Sequence, residues 1–231
     1  MQGFSVFIPV LDEERLLAPN ALAVLEHCRG LGREFELIIG SNGSTDRTAE
    51  IGRSLADEHP ELRFFHLEAK GAGRAFARAV RVAAQPFLIT LDMDLSVGPD
   101  FITTALEHLE RGAAVVVGSK QAGRQERGLL RVLASGAFIA AARLVLSLSF
   151  RDYSLGAKAF TTELARRYLS DIDPYTGYTL ALIYRAQQEG ARVVEVPVVC
   201  RDSRQSRFSL GGEGFYRLRH LWRVKKPPDI S

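Results

Sequence analysis

Two aspartates close an apolar run: Phe87-Leu88-Ile89-Thr90-Leu91 is followed by Asp92-Met93-Asp94-Leu95-Ser96. Residues two apart on an extended strand point the same way, so both carboxylates are expected to face one site. Carboxylate oxygens beside a polyphosphate are how proteins hold Mg²⁺ or Mn²⁺, with phosphate oxygens completing the shell. The plainer alternative is that these acids cap the next helix. It is weakened because Pro99-Asp100 already reads as that helix's start.

Three other clusters follow apolar runs. After Phe4–Val10 stands Pro9-Val10-Leu11-Asp12-Glu13-Glu14, with no G-x-G-x-x-G, which argues against a dinucleotide-dependent dehydrogenase. The three acids also suit the positive end of the following helix, and that reading stays open. In Ser41-Asn42-Gly43-Ser44, Gly43 supplies a turn and Ser44 a helix N-cap. Asn42 carries both a donor and an acceptor for the edge of a nucleobase, or simply completes a well-built loop. Lys70-Gly71-Ala72-Gly73-Arg74 opens a helix. Its glycines let backbone N–H groups approach a phosphate, although glycine-rich turns of this kind are common.

The elements that must position these residues alternate. Phe4–Val10, Phe35–Ser41, Leu62–Leu67, Pro86–Asp92 and Ala113–Ser119 read as strands, while Leu16–Leu31 and Ala72–Ala83 carry helical spacing. Strands alternating with helices predict an α/β fold, a mostly parallel sheet covered by helices, with ligands beyond the carboxyl ends of the strands. Later, Leu129–Ser149 reads as a long helix and Gly156–Phe160 as a short strand. Arg192–Cys200 reads as a strand broken at Pro197, which suits an edge. Gly211–Lys226 is helical by pattern.

The 231 residues and 46% hydrophobic content suffice for one large core. The organisation expected is a main domain over 1–210 and a helical tail over 211–231. Cys28 and Cys200 are far apart and form no C-x-x-C pair, which points to a reducing cytoplasm rather than a disulfide framework. Arg131 and Arg143 interrupt the longest apolar stretch, so no membrane span is read. A net charge of +3 suits an anionic donor or an anionic membrane surface alike. No nucleic-acid partner is expected, and the oligomeric state is left open.

Taken in order, these motifs resemble glycosyltransferase family 2, in particular its polyprenyl-phosphate branch of dolichyl-phosphate mannosyl- and glucosyltransferases. Pro9-Val10-Leu11-Asp12-Glu13 is similar to P-x-x-N-E, Ser41-Asn42-Gly43-Ser44-Thr45-Asp46 to D-D-G-S-x-D, and Asp92-Met93-Asp94-Leu95-Ser96 to D-A-D-L-Q. Gly118-Ser119-Lys120 falls where the family has G-S-R, and Asp152 to Phe160 resembles D-T-Q-C-G-F-K-x-F. Glu195-Val196-Pro197-Val198 matches E-V-P-V.

The resemblance implies a GT-A fold with a Rossmann-like nucleotide-binding half, and an inverting transfer from a nucleotide-sugar. It implies a catalytic set of Asp94, Lys120, Arg131 and Asp152. Donor contacts would come from Pro9, Leu11, Asp12, Glu13, Asn42, Lys70, Gly71, Asp92 and Met93, with Arg207 closing over the diphosphate. Asp12, Glu13 and Asn42 match the base and ribose positions. Asp92 and Asp94 match the metal ligands, and Ser96 replaces a glutamine as third contact. Lys120 and Arg131, with Ser135, match positions that hold an acceptor phosphate.

Three departures stand out. Ser41-Asn42 replaces two aspartates, Leu11 replaces a common tyrosine, and Gly177-Tyr178-Thr179-Leu180-Ala181 lies where relatives read F-D-x-E-L. Asp171 and Asp173 are the nearby acids that could compensate.

A phosphate acceptor needs no general base, since its second pKa is about 6 and it is mostly anionic at neutral pH. Loss of the acidic pair therefore favours a lipid phosphate over a hydroxyl acceptor on a glycan or glycolipid. A sugar-1-phosphate nucleotidyltransferase would want a basic glycine-rich loop where Leu11-Asp12-Glu13-Glu14 stands. A non-catalytic nucleotide-sugar binder remains the rival from another class. In the tail, Phe215, Leu218, Leu221 and Trp222 recur at helical spacing among Arg217, Arg219, Arg223, Lys225 and Lys226. That pattern fits either peripheral contact with the inner face of a membrane or docking on the domain's own core.

Overall fold

The computed structural model describes residues 2–120, 146, 155–175, 177–201 and 224. In chain order the elements are β1 (Phe4–Val10), α1 (Leu17–Gly30), β2 (Phe35–Asn42), α2 (Thr48–Glu58), β3 (Leu62–Leu67), α3 (Ala72–Val82) and β4 (Phe87–Thr90). Then come α4 (Asp100–Glu110), β5 (Val115–Lys120), β6 (Lys158–Thr161), α5 (Thr162–Arg167), a 3₁₀ turn (Leu169–Asp171), α6 (Leu180–Gln188) and β7 (Val193–Val198).

The seven strands form one sheet in the order β3-β2-β1-β4-β6-β5-β7. All neighbouring pairs are parallel except those of β6, which runs antiparallel to both β4 and β5. Strand alternation divides the core. Val6, Ile8, Leu37, Ile39, Ile89 and Val116 pack on one face under α1, α2 and α4. Phe7, Ile38, Leu88, Val115, Val117 and Phe160 pack on the other under α3, α5 and α6. Burial on both faces is why these strands read as continuous apolar runs rather than alternating ones. The expected α/β fold, mostly parallel with helices on both faces, is what the chain adopts.

Some boundaries differ. The fourth strand stops at Thr90, short of Asp92, and Ser44 does not cap α2. Capping falls instead to Asp46, whose Oδ1 accepts the Thr48 N–H at 2.9 Å. Pro99 does sit at the N-cap of α4, and Pro197 does lie on β7, which among the described residues is an edge strand paired only with β5.

Of the long helix read over Leu129–Ser149 only Leu146 is described, helical and buried in the core beside α3, α5 and α6. Of the tail only Val224 is described, helical and 5% exposed in that same layer. Phe215, Leu218, Leu221 and Trp222 lie outside the described residues, as does the boundary between 210 and 211. Among the described residues, no helix is long and apolar enough to cross a membrane.

Candidate active site

The carboxyl ends of β1, β2 and β4 open onto a cavity of about 450 Å³, the position where open α/β sheets bind ligands. The exits of β1 and β2 supply Pro9, Val10, Leu11, Glu13 and Asn42. The start of α3 supplies Lys70, Gly71 and Ala72, and the turn after β4 supplies Asp92, Met93 and Asp94. Tyr175 reaches in from the segment before α6.

The first wall is stitched by side chains that serve backbone groups. Asp12 turns the chain with φ 53°, a left-handed conformation that costs energy in a non-glycine residue. It is held there because its N–H donates to Ser44 Oγ at 3.1 Å and its Oδ1 accepts the Thr45 N–H at 2.8 Å. The Glu13 N–H donates to Thr48 Oγ1 at 2.8 Å and the Glu14 N–H to Asp46 Oδ2 at 3.2 Å. Asp12 therefore fastens the loop after β1 to the loop after β2 and stands outside the cavity lining.

Asn42, in contrast, is both buried and part of the lining. Its amide nitrogen donates to the Val10 carbonyl at 2.8 Å and its Oδ1 accepts the Gly71 N–H at 3.2 Å. The donor and acceptor that the sequence offered to a base edge thus tie β1, β2 and the start of α3 together.

The glycines at the start of α3 have a different purpose from the phosphate cradle expected of them. A Cβ at Gly71 would collide with the Pro174 carbonyl oxygen, and one at Gly73 with that of Asp173. The Gly73 N–H donates to the Tyr175 carbonyl at 2.9 Å and the Arg74 N–H to that of Pro174 at 3.1 Å. These N–H groups are engaged by protein backbone. The glycines are needed so that the 173–175 segment can lie against the helix.

The metal-type pair sits in a turn beyond β4, not on the strand, so strand alternation is not what brings the carboxylates together. The Leu95 N–H closes onto the Asp92 carbonyl at 3.0 Å, and Leu95 takes φ 47°. Asp94 Oδ1 accepts the Ser96 N–H at 3.0 Å. Three neighbours hold this turn. Asn20 of α1 donates to the Met93 carbonyl at 2.7 Å, the Arg201 N–H to that of Ser96 at 2.8 Å, and Gly156 to Asp92.

The Gly156 contact depends on the direction of β6. Because that strand is antiparallel, its N-terminal end lies at the edge where the other strands finish. The Gly156 N–H donates to Asp92 Oδ2 at 3.0 Å, and a Cβ at 156 would overlap the carboxylate. Thr90 Oγ1 donates to the Gly156 carbonyl, and buried Lys158 donates to that of Leu155, which fixes the loop. Burial pushes the Asp92 pKa up, and the charge of Asp94 adds to this. The Gly156 hydrogen bond and the cations Lys158 and Lys120 act in the opposite direction.

Of the residues singled out from sequence, the cavity gathers Pro9, Leu11, Glu13, Asn42, Lys70, Gly71, Asp92, Met93 and Asp94. Lys120 stands at the end of β5, outside the lining but close enough for its charge to act on Asp92. Ser96 is also outside the lining, with its N–H and carbonyl both engaged. Arg131, Ser135, Asp152 and Arg207 lie outside the described residues. Neither acid offered as a substitute for the missing pair reaches the cavity lining. Asp171 pairs with Arg185 Nε at 2.6 Å, and buried Asp173 accepts the Tyr175 N–H at 2.8 Å.

Sequence reasoning missed the roles of Gly156, Lys158, Tyr175 and Tyr178. Tyr178 packs its ring 4.9 Å from Phe76 and anchors the segment before α6. Its hydroxyl pKa is raised by burial and, secondly, by the charge of Asp92. Gly156 was read as the first residue of a strand, whereas the structure places it two residues before β6; Tyr175 carried no signal.

The chain belongs to glycosyl transferase family 2, whose model matches residues 5–169. Glycosyltransferase AglD of Haloferax volcanii is 28% identical over 238 residues, covering 98% of this chain and 38% of that protein. Undecaprenyl-phosphate 4-deoxy-4-formamido-L-arabinose transferase of Pectobacterium carotovorum is 31% identical over 172 residues, covering 73% of this chain and 52% of the relative. The chain therefore spans only two-fifths to half of the length of these curated relatives. The crystal structure of glucosyl-3-phosphoglycerate synthase from Mycobacterium tuberculosis, with Mn²⁺ and UDP-glucose, superposes with TM-score 0.74 at 22% identity. It covers 99% of this chain and 81% of that one, and it shows the shared GT-A fold.

Proposed function

We propose that this chain is an inverting glycosyltransferase that moves a hexose from a UDP- or GDP-sugar to a polyprenyl or dolichyl phosphate at a membrane surface. The observation that carries the reading is the pair Asp92 and Asp94 on a strand-end cavity that is also lined by Pro9, Leu11, Glu13, Asn42, Lys70, Gly71 and Met93, residues that the family pattern assigns to the donor. The undecaprenyl-phosphate acceptor in the name of the Pectobacterium relative supports the choice of acceptor.

The donor set fits Mg²⁺ or Mn²⁺. Both residues offer hard carboxylate oxygens, and the described residues hold no group of three or more His, Cys, Asp or Glu that could complete a metal site alone. A cation shared with a diphosphate suits such an open set. Bound there, it would supply Lewis-acid neutralisation of charge on the departing nucleoside diphosphate.

The chain's own residues do the rest. Gly156, Asn20 and Arg201 hold the Asp92–Ser96 turn in one conformation, so the carboxylates are organised before the donor arrives. The chain places Thr179 and Ala181 in the segment where relatives carry an acidic pair, and both are buried. An acceptor already anionic at neutral pH is compatible with that loss, because no proton has to be removed. Lys120, with Arg131, would hold the acceptor phosphate, and Phe215, Leu218, Trp222 and the nearby basic residues of the tail would meet the bilayer, while Val224 packs in the core.

The test is transfer of radiolabelled hexose from UDP- and GDP-sugars to polyprenyl phosphate, polyprenol or neither, in Mn²⁺ or Mg²⁺. Label should enter the lipid only when the phosphate is present. Label entering the alcohol equally would refute the acceptor assignment, and donor binding without any transfer would make the chain a binding protein.

A further inference from the structure

We propose that Tyr175 is the surface on which the donor's nucleobase stacks, an assignment that rests on the nucleotide-sugar reading above. Tyr175 is the one aromatic residue among the described residues that line the cavity, and it is 44% exposed. Among the described residues, the apolar part of the first wall is aliphatic, from Pro9, Val10 and Leu11, beside the polar Glu13 and Asn42.

The ring is delivered by a segment with little freedom. The Tyr175 carbonyl accepts the Gly73 N–H at 2.9 Å and its own N–H donates to Asp173 Oδ1 at 2.8 Å. The Arg74 guanidinium lies over the ring, 5.8 Å from its centroid. Three residues on, Tyr178 is locked against Phe76. Gly71, the N-cap of α3, and Gly73 in its first turn leave room for the segment. A large, partly exposed ring held this firmly beside a cavity is a pre-organised contact surface.

Its place in the cavity matches the base rather than the diphosphate. The segment docks on the start of α3, and Gly71 there is bonded to Asn42 at the exit of β2. The carboxylates follow β4, and β1 lies between β2 and β4 in the sheet. Two strand spacings, about 10 Å, therefore separate the β2 exit from the metal end. A nucleoside diphosphate anchored by its phosphates at Asp92 and Asp94 extends its base across that gap. Every nucleobase has a π-face, so an aromatic platform contributes affinity without choosing the base.

Binding of UDP and GDP in Mn²⁺, with Mn²⁺-pyrophosphate as the probe that lacks a base, tests this by titration calorimetry on wild type, Tyr175→Phe, Tyr175→Leu and Tyr175→Ala. Both backbone bonds at 175 survive these changes, and Leu keeps apolar bulk should Ala lower stability. The Ala and Leu variants should lose nucleotide affinity, Ala by about 5- to 150-fold, the range of aromatic–base stacking. Phe should stay close to wild type, and pyrophosphate binding should not change. Unchanged nucleotide affinity in the Leu and Ala variants would overturn the proposal. So would an equal loss of pyrophosphate affinity, or a Phe variant as weak as Ala. Wild-type protein that binds pyrophosphate but neither nucleotide would instead bring down the nucleotide-sugar reading itself.

Discussion

Two regions build the cavity by different means. The loops after β1 and β2 are joined by polar side chains, Asp12, Ser44, Asp46 and Thr48, each bonded to a backbone N–H of the other loop or its own. The segments 155–158 and 173–175 come from the later half of the chain and reach the site by close backbone approach at Gly156, Gly71 and Gly73. In the first region a lost hydrogen bond can be replaced by water. In the second, an added methyl group has nowhere to go. Function should therefore be more sensitive to small steric changes in the second region than to polar deletions in the first.

The strongest way to sharpen that contrast is Gly156→Ala. The new methyl would overlap the Asp92 carboxylate and disturb its N–H partner, and removing such outer partners of a metal ligand costs about 10–100-fold in activity or metal affinity. Transfer should fall in that range, whereas Ser44→Ala should change it far less. Comparable losses in the two variants would break the comparison.

Next in size is Gly73→Ala, which should destabilise the fold by about 1–3 kcal/mol through overpacking against the Asp173 carbonyl. Denaturant titration measures this. Near-wild-type stability, with weakened phosphate binding, would restore the phosphate-cradle reading of these glycines.

A smaller effect concerns Asp92 itself. Burial raises its pKa above the ordinary value of 3.8 in the folded state, so between the two pKa values the folded protein binds more protons than the unfolded chain. Stability then falls as pH rises through that window, and the full cost is present above it. Without metal or nucleotide, Asp92→Asn should melt higher than wild type at pH 7, by about 2–4 °C for each kcal/mol relieved in a chain of this size. The gap should close as pH falls toward 3.8. A variant that melts lower at pH 7 would show that the Gly156 bond and nearby lysines outweigh burial.

What was legible follows the same division. The parallel strands, α1, α3 and the cavity residues from Pro9 to Asp94 could be read because each strand is a short apolar run and each motif follows one directly. The antiparallel direction of β6 could not, since Lys158–Thr161 is only four residues long and carries no orientation signal. Gly71 and Gly73 were visible as glycines, but the partner they admit, 173–175, lies a hundred residues away, and periodicity cannot report such a contact. Asn42 was singled out and lines the cavity, while its bonds to Val10 and Gly71 required the fold to be seen.

On the proposed function, Asp92 and Asp94 hold the donor's diphosphate through a divalent cation. The most direct measurement is UDP and GDP affinity, with Mn²⁺ and with chelator, for wild type and Asp94→Asn, alongside turnover of the sugar donor. Mn²⁺ should tighten nucleotide binding in wild type and do little for Asp94→Asn, whose transfer should drop by about a hundredfold or more with its fold intact. Near-normal transfer by Asp94→Asn in chelator, or equal Mn²⁺ enhancement in both proteins, would contradict the account.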